Sequence, residues 1–325
     1  MIAVLGAGSW GTALAVTLAR SSPQEKILLW GRSSYFKYLP DTELPNNIEF
    51  TNDVISVAQR SKDLLVAVPS YAFTDLIQKI LPYIKTSRIA WATKGLDAKT
   101  GKFFSQVLCD LLGEDIAIAM LSGPSFAKEV INGLTTLVVI ASRSVHQDQI
   151  FVKDLITRLH SKIFRVYSSL DLVGVQLGGV LKNILAVASG IYDGLKFGAN
   201  TKAALITRGL AEGLRLVVPL GGQIQTLMGL SGVGDIFLSC TAQQSRNFRF
   251  GLLLADGFTV DQAKVQIGQA IEAVDNIQQL YKLSVAHNIK MPIIYTMWQI
   301  IVNNVPLQQA IDYLLTIEEP QVEWI

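Results

Sequence analysis

Six residues near the start of the chain narrow its possible folds more than any other segment. Ile2-Ala3-Val4-Leu5, an apolar run of strand type, leads into Gly6-Ala7-Gly8-Ser9-Trp10-Gly11, and an apolar helical stretch from Thr12 to Ala19 follows. A Gly-x-Gly-x-x-Gly turn between a strand and a helix is the phosphate-binding corner of a dinucleotide fold. Gly6 allows the tight turn, Gly8 lets the backbone approach a pyrophosphate, and Gly11 lets helix and strand pack closely. The start of the helix then offers amide N–H groups to the anion. The same stretch does not read as a secretory signal, because nothing basic precedes Arg20 and glycines interrupt the apolar run. The two cysteines, Cys109 and Cys240, are too few for a disulfide scaffold, so the expected compartment is the cytoplasm.

The pattern set by this corner continues. Further apolar runs of strand type are Ile27–Trp30, Leu64–Val68, Ile89–Ala92, Ile116–Met120, Thr135–Ile140 and Phe164–Tyr167, and a helix is expected from about Ala72 to Ile80. Short apolar runs alternating with helices predict a mostly parallel sheet covered on both faces. From about Asp171 the strand-like runs stop and long Ala/Leu/Gln-rich helical stretches take over. The expected organisation is a Rossmann-like α/β dinucleotide-binding domain over 1–170, followed by an all-α substrate and catalytic domain over 171–325. A chain of 325 residues that is 50% apolar and 17% charged supports sizeable cores. Its net charge of +2 argues against nucleic acid as a partner. The late uncharged run from Met291 to Ile311 is broken by Pro292, Pro306 and Asn303-Asn304, which predicts buried helices rather than a membrane span.

Cofactor preference is written at the end of the second strand. An NAD-specific site places an acidic residue about 20 residues after the glycines, on the ribose 2′-hydroxyl. Gly31-Arg32 stands there instead. An arginine suits a 2′-phosphate, so NADP or NAD is expected, with NADPH preferred.

Five further places carry groups suited to chemistry. Lys182 is the only charge between Asp171 and Asp193, with Gly178 and Ala186 four residues to either side on the same helical face. A lysine in such surroundings is desolvated and suited to proton transfer. Lys94-Gly95 ends a strand at the carboxyl edge of the sheet, where open α/β folds bind ligands, and Gly123-Pro124-Ser125-Phe126-Ala127 follows another strand and opens a helix. Gly232-Val233-Gly234-Asp235 reads as a flexible turn presenting a carboxylate, and Ser245-Arg246-Asn247 as a phosphate clamp. His146, His160 and His287 lack metal-ligand spacing, so no metal is expected.

Taken in order, these segments resemble the bacterial NAD(P)-dependent glycerol-3-phosphate dehydrogenases. The matching blocks are Gly6 to Ala15, Trp91 to Leu96, Ser122 to Glu129, Gly174 to Gly179 with Lys182-Asn183, Asn200 to Gly209, Gly232 to Asp235, and Gln244 to Asn247. The resemblance implies reversible reduction of dihydroxyacetone phosphate to sn-glycerol 3-phosphate for phospholipid synthesis. It implies Lys182 as proton acceptor or donor, with Lys94, Asn183 and Asp235 polarising and positioning the reacting carbon. Gly123 and Ser125 would contact the substrate, and Ser245, Arg246 and Asn247 its phosphate end. Ser9, Trp10, Arg32, Lys94, Ala127, Arg246 and Glu272 would join Gly6, Gly8 and Gly11 in holding the cofactor. The family commonly has glycine where this chain has Ala273, and a homodimer is expected on resemblance alone. Two rivals stay open at this level: a two-domain dehydrogenase acting on a hydroxy acid or sugar acid, and a non-catalytic nucleotide sensor.

Overall fold

The computed structural model describes residues 1–32 and 44–316. The chain divides into two compact units, one comprising Met1–Asp97 and Lys102–Leu172, the other Ala98–Gly101 and Val173–Ile325.

The first unit is built on an eight-stranded sheet: β1 (Ile2–Leu5), β2 (Ile27–Trp30), β3 (Ile48–Thr51), β4 (Asp63–Val66), β5 (Arg88–Trp91), β6 (Ile118–Ser122), β7 (Thr136–Ala141) and β8 (Phe164–Ser169). Their spatial order is β3-β2-β1-β4-β5-β6-β7-β8. The chain therefore winds outward from β1 to β3, then crosses back to start again at β4 on the other side of β1. The crevice beyond the carboxyl ends of β1 and β4 is the switch point where such sheets bind ligands. All neighbouring strands are parallel except β6 and β7. Helices α1 (Ser9–Ser21), α2 (Val54–Arg60), α3 (Ser70–Ile80), α4 (Phe104–Leu112), α5 (Ala127–Ile131) and α6 (His146–Leu159) complete the unit.

β1 and β2 are buried along their whole length, as their unbroken apolar runs predict, and β4 is equally buried although it opens on Asp63. The sequence reading has no strand at β3, and the reason is visible in its composition. Ile48-Glu49-Phe50-Thr51 is a half-buried edge strand, and Glu49 is tied to Lys26 and Arg60 at 2.5 and 2.6 Å. One face of the sheet buries α1, α5 and α6 in a continuous apolar core that includes Leu14, Leu18, Leu65, Ile140, Phe151 and Leu155. Each such side chain contributes about 1.5–3 kcal/mol of transfer free energy. At the amino edge, buried Asp63 takes both arms of Arg88 at 2.6 and 2.8 Å and a third hydrogen bond from Arg158. Burial alone would raise its pKa, but the two guanidiniums hold it below the ordinary carboxylate value.

The second unit is helical: α7 (Leu172–Gly194, whose first residue belongs to the first unit), α8 (Gly198–Val217), α9 (Ile224–Leu227), a π-helical turn (Leu230–Gly234), α10 (Asp235–Thr241), α11 (Arg246–Ala255), α12 (Val260–Ile267), α13 (Glu272–Ala286), α14 (Pro292–Ile301) and α15 (Leu307–Thr316). Gln279 on α13 donates to the carbonyl of Ala98 at 2.6 Å and fastens the short piece 98–101 to this unit. Local chemistry sets several helix starts. Thr259 and Gln262 close a reciprocal cap on α12, and Pro292 occupies the first turn of α14, where its missing N–H costs nothing.

α7 is the spine. It is long and apolar enough to cross a membrane, but 89% of its most apolar window is buried inside the protein. Its glycines set how closely neighbours approach. A Cβ at Gly190 would lie 2.0 Å from the Phe248 carbonyl oxygen of α11, and one at Gly251 of α11 would lie 2.1 Å from the Val187 oxygen. The two helices thus cross backbone against backbone.

Candidate active site

In the first unit the glycine corner is built as its sequence demands, and each glycine answers to a different neighbour. Gly6 has a φ of 125°, a conformation that side chains disfavour, and a Cβ there would lie 2.8 Å from the backbone of Ala67. A Cβ on Gly11 would fall 1.8 Å from the Gly6 carbonyl oxygen, so packing alone excludes a side chain. Gly8 differs: among the described residues nothing lies within 4 Å of the Cβ it lacks. It caps α1 without a side chain of its own, and the open space beside it suits a pyrophosphate held on amide N–H groups. Ser9 and Trp10 open α1, and Trp10 packs partly against the core. Gly31 cannot carry a side chain either, since a Cβ would meet Ala7 at 2.7 Å, and Arg32 beyond it is exposed. These residues fit a dinucleotide: a corner shaped for its phosphates, with an exposed arginine just beyond β2.

Farther along the carboxyl edge, Lys94, Gly123 and Ser125 come together on one backbone oxygen. The Gly123 carbonyl accepts from Lys94 Nζ at 3.4 Å and from Ser125 Oγ at 3.0 Å. Gly123 has a φ of 134°, and a Cβ would lie 3.1 Å from Val138 Cα of β7. Ala127 begins α5 and packs against the core.

The second unit assembles its polar groups from side chains. Lys182 sits half-buried midway along α7 with Gly178 and Ala186 on its face, and Gly178 lets the Ser231 carbonyl approach to 2.4 Å of where a Cβ would be. Next to it, fully buried Asn183 donates from Nδ2 to Glu272 Oε2 at 2.9 Å and accepts from Asn247 Nδ2 at 2.8 Å. Asp235 is buried at the first turn of α10. Gly232-Val233-Gly234 before it is not the flexible turn its glycines suggest. It is a packed π-helical turn in which a Cβ on Gly232 would lie 1.9 Å from the Leu227 oxygen. Here glycine serves close packing, which spacing alone cannot distinguish from mobility. Lys182 and Asp235 act with opposite sign on the thiol of Cys240, whose pKa burial drives upward. One turn beyond Asp235, Ser239 Oγ donates to its Oδ1 at 3.5 Å, both groups being buried. Ser239 was not singled out by the sequence, and an i, i+4 spacing from Asp235 was its only signal.

Ser245, Arg246 and Asn247 lie at the start of α11 but point to different tasks. Ser245 Oγ caps the helix by accepting from Phe248 N at 3.3 Å. Asn247 turns inward to Asn183, and Arg246 is exposed with Nη1 3.2 Å from Gln269 Oε1. Glu272 begins α13, and the following Ala273 is fully buried in helical backbone with its N–H 3.4 Å from Asn247 Oδ1. Alanine is at home in that conformation. One turn on, the pKa of Asp275 is pushed up to about 6 by burial and then by the Glu272 charge.

A glycine corner at the switch point of a doubly wound sheet, joined to a helical unit with a lone lysine on its central helix, defines a dinucleotide-dependent oxidoreductase. Comparison with known proteins makes this specific. Two descriptions, "NAD-dependent glycerol-3-phosphate dehydrogenase N-terminus" and "C-terminus", match residues 1–148 and 171–312, and the chain belongs to that family. It is similar to the curated glycerol-3-phosphate dehydrogenase (NAD(P)+) of Colwellia psychrerythraea, at 46% identity over 313 residues and 92% of each chain. It is also similar to that of Edwardsiella ictaluri, at 43% over 322 residues, covering 95% of this chain and 94% of the relative. The crystal structure of glycerol-3-phosphate dehydrogenase from Coxiella burnetii superposes with a TM-score of 0.91 at 44% identity, covering 97% of this chain and 98% of that one.

Proposed function

We propose that the protein reversibly reduces dihydroxyacetone phosphate to sn-glycerol 3-phosphate with NADPH or NADH, residues 1–170 holding the dinucleotide and 171–325 supplying substrate contacts and acid–base chemistry. The observation that carries this reading is the match of both halves of one dehydrogenase family, at 46% identity over 92% of a curated relative.

Bound nicotinamide supplies the hydride. As the ketone oxygen becomes an alkoxide, Lys182 gives it a proton, and in the oxidising direction takes one from the hydroxyl. Lys94 adds positive charge where the oxyanion develops, which stabilises the transition state more than the neutral ketone. Asn183 and Asp235 orient the reacting carbon and Lys182. Gly123 and Ser125 contact the substrate, and the exposed guanidinium of Arg246, flanked by Ser245 and Asn247, takes its phosphate. Gly6, Gly8, Ser9, Trp10 and Gly11 cradle the pyrophosphate, with Ala127, Arg246 and Glu272 as further cofactor contacts. Arg32, exposed beyond β2, faces a 2′-phosphate and favours NADPH. The product would serve phospholipid synthesis in the cytoplasm, and the enzyme would work as a homodimer.

The test is NADPH oxidation with dihydroxyacetone phosphate, unphosphorylated dihydroxyacetone and a 2-oxo acid, each assayed in turn. Turnover restricted to the phosphorylated ketone is expected. Reduction of the 2-oxo acid alone would make the protein a hydroxy-acid dehydrogenase. Cofactor binding with no turnover would make it a nucleotide sensor.

A further inference from the structure

We propose that Asn247 is a positioning residue: it fixes which way round the Asn183 amide sits, through a one-way chain of hydrogen bonds that ends on Glu272. The inference rests on the function proposed above and assigns part of its machinery.

The chain runs from the Ala273 N–H to Asn247 Oδ1 at 3.4 Å, from Asn247 Nδ2 to Asn183 Oδ1 at 2.8 Å, and from Asn183 Nδ2 to Glu272 Oε2 at 2.9 Å. Its two ends dictate its direction. A backbone N–H can only donate, so Asn247 turns its oxygen to Ala273 and its nitrogen to Asn183. A carboxylate can only accept, so Asn183 must turn its nitrogen to Glu272. Both ends demand the same orientation of both amides. Reversing either amide alone would set acceptor against acceptor or donor against donor. Asn183 is 0% exposed and Asn247 6%, and in such surroundings an unmade hydrogen bond is costly.

The chain ties three helices, α7, α11 and α13, at the residue next to Lys182. After these bonds are made, the Asn183 nitrogen retains one hydrogen and its oxygen one lone pair. Reversing that amide would exchange a donor for an acceptor beside the proton-transferring lysine. Asn247 therefore acts on the reaction through Asn183, in addition to any contact of its own second N–H with substrate.

Three variants separate orientation from mere stability. In Glu272→Gln the glutamine oxygen still accepts from Asn183, so the direction is kept, and this variant is the reference. Asn247→Asp accepts from Ala273 but has no donor for Asn183. Whichever way Asn183 then turns, its oxygen faces a carboxylate, at position 247 or at Glu272. Both Tm and kcat should fall. The double variant Asn247→Asp/Glu272→Gln has the net charge of the wild type and lets every joint form again with Asn183 reversed, because the glutamine nitrogen can donate to it.

Its Tm and its KM for NADPH should both match those of Glu272→Gln. Its kcat for dihydroxyacetone phosphate should stay at least about tenfold lower, the scale of one misdirected hydrogen bond. Recovery of kcat together with Tm would overturn the proposal and make the chain a packing device. So would an Asn247→Asp variant with wild-type Tm and kcat, or a double variant whose Tm does not recover. If wild type and Glu272→Gln fail to reduce dihydroxyacetone phosphate at all, the functional reading fails by itself. The melting series still decides the orientation.

Discussion

The two units present polar groups to ligands in opposite ways. The first works almost entirely with backbone: a glycine corner, the start of α1, and the Gly123 carbonyl that gathers Lys94 and Ser125. The second works with side chains buried on helices, Asn183, Asn247 and Asp235 among them. A backbone site tolerates many side chains but no misplaced Cβ. A side-chain site accepts little change of functional group, and its cost appears in turnover before it appears in folding.

The sharpest break of this contrast is Lys182→Ala. The residue lies half-buried in the middle of a helix that alanine favours, so the fold should survive. Loss of the proton-transfer group should lower kcat by at least about a hundredfold while cofactor binding persists. Near-normal turnover would remove the lysine from the mechanism.

The glycine corner should fail differently. Gly11→Ala drives a methyl group to 1.8 Å from the Gly6 oxygen, and overpacking of this kind costs about 1–3 kcal/mol. A clear drop in Tm is expected. Gly8→Ala meets no atom of the described residues within 4 Å, and its φ of −76° suits alanine. Its Tm should match wild type while NADPH affinity falls about tenfold or more, as the methyl group occupies the phosphate's space. If Gly8→Ala binds NADPH normally in a calorimetric titration, the open space is not the pyrophosphate's.

Arg32 is the side chain proposed to join the glycine corner in holding the cofactor. Arg32→Ala should weaken NADPH binding by about one decade and leave NADH unchanged, as expected for one charge-assisted hydrogen bond. The effect should shrink as salt rises, since the residue is exposed. Equal losses for both cofactors would sink the assignment.

The smallest expected effect lies in the helical unit and concerns pH. Glu212 of α8 is buried, and its carboxylate takes the backbone N–H groups of Ile293 and Ile294 at 2.6 and 3.1 Å, capping α14 from outside. Burial pushes its pKa from an ordinary 4.5 up to about 7, against the pull of those two N–H groups. A folded state that holds the proton more tightly than the unfolded chain gains stability below about 4.5 and loses it as pH rises through about 7. The Tm of wild type minus that of Glu212→Gln should therefore decline across that interval. A difference that grows with pH would show that the two N–H groups outweigh burial.

Legibility in the sequence follows the same division. β1, β2 and the glycine corner could be read directly, because a strand buried on both faces is a continuous apolar run and a phosphate corner repeats a spacing. β3 could not, since an edge strand carrying Glu49 has no such run. The antiparallel turn of β7 was equally hidden. The connection over 123–135 stays at the carboxyl edge instead of crossing the sheet, and apolar content does not encode strand direction. In the helical unit, long apolar periodicity marked the helices, but the bonds of Asn183 reach across 64 and 89 residues. Spacing rules end at about one helical turn, so such partners emerge only when helices are stacked. The π-helical turn before Asp235 was invisible for a further reason. Glycines chosen for tight packing look the same in sequence as glycines chosen for freedom.

The crossing of Gly190 and Gly251 has a consequence for inheritance. Most helix contacts can drift, because a larger residue on one side is offset by a smaller one opposite. Here each partner is already the smallest residue, and each missing Cβ would strike the other helix's main chain near 2 Å. No second substitution can restore the clearance. The pair behaves as a fixed pivot, and Lys182, eight residues or about 12 Å along the axis, has its direction set from that pivot. A change at either glycine would push apart α7 and α11, two of the three helices that the hydrogen bonds of Asn183 and Asn247 tie together.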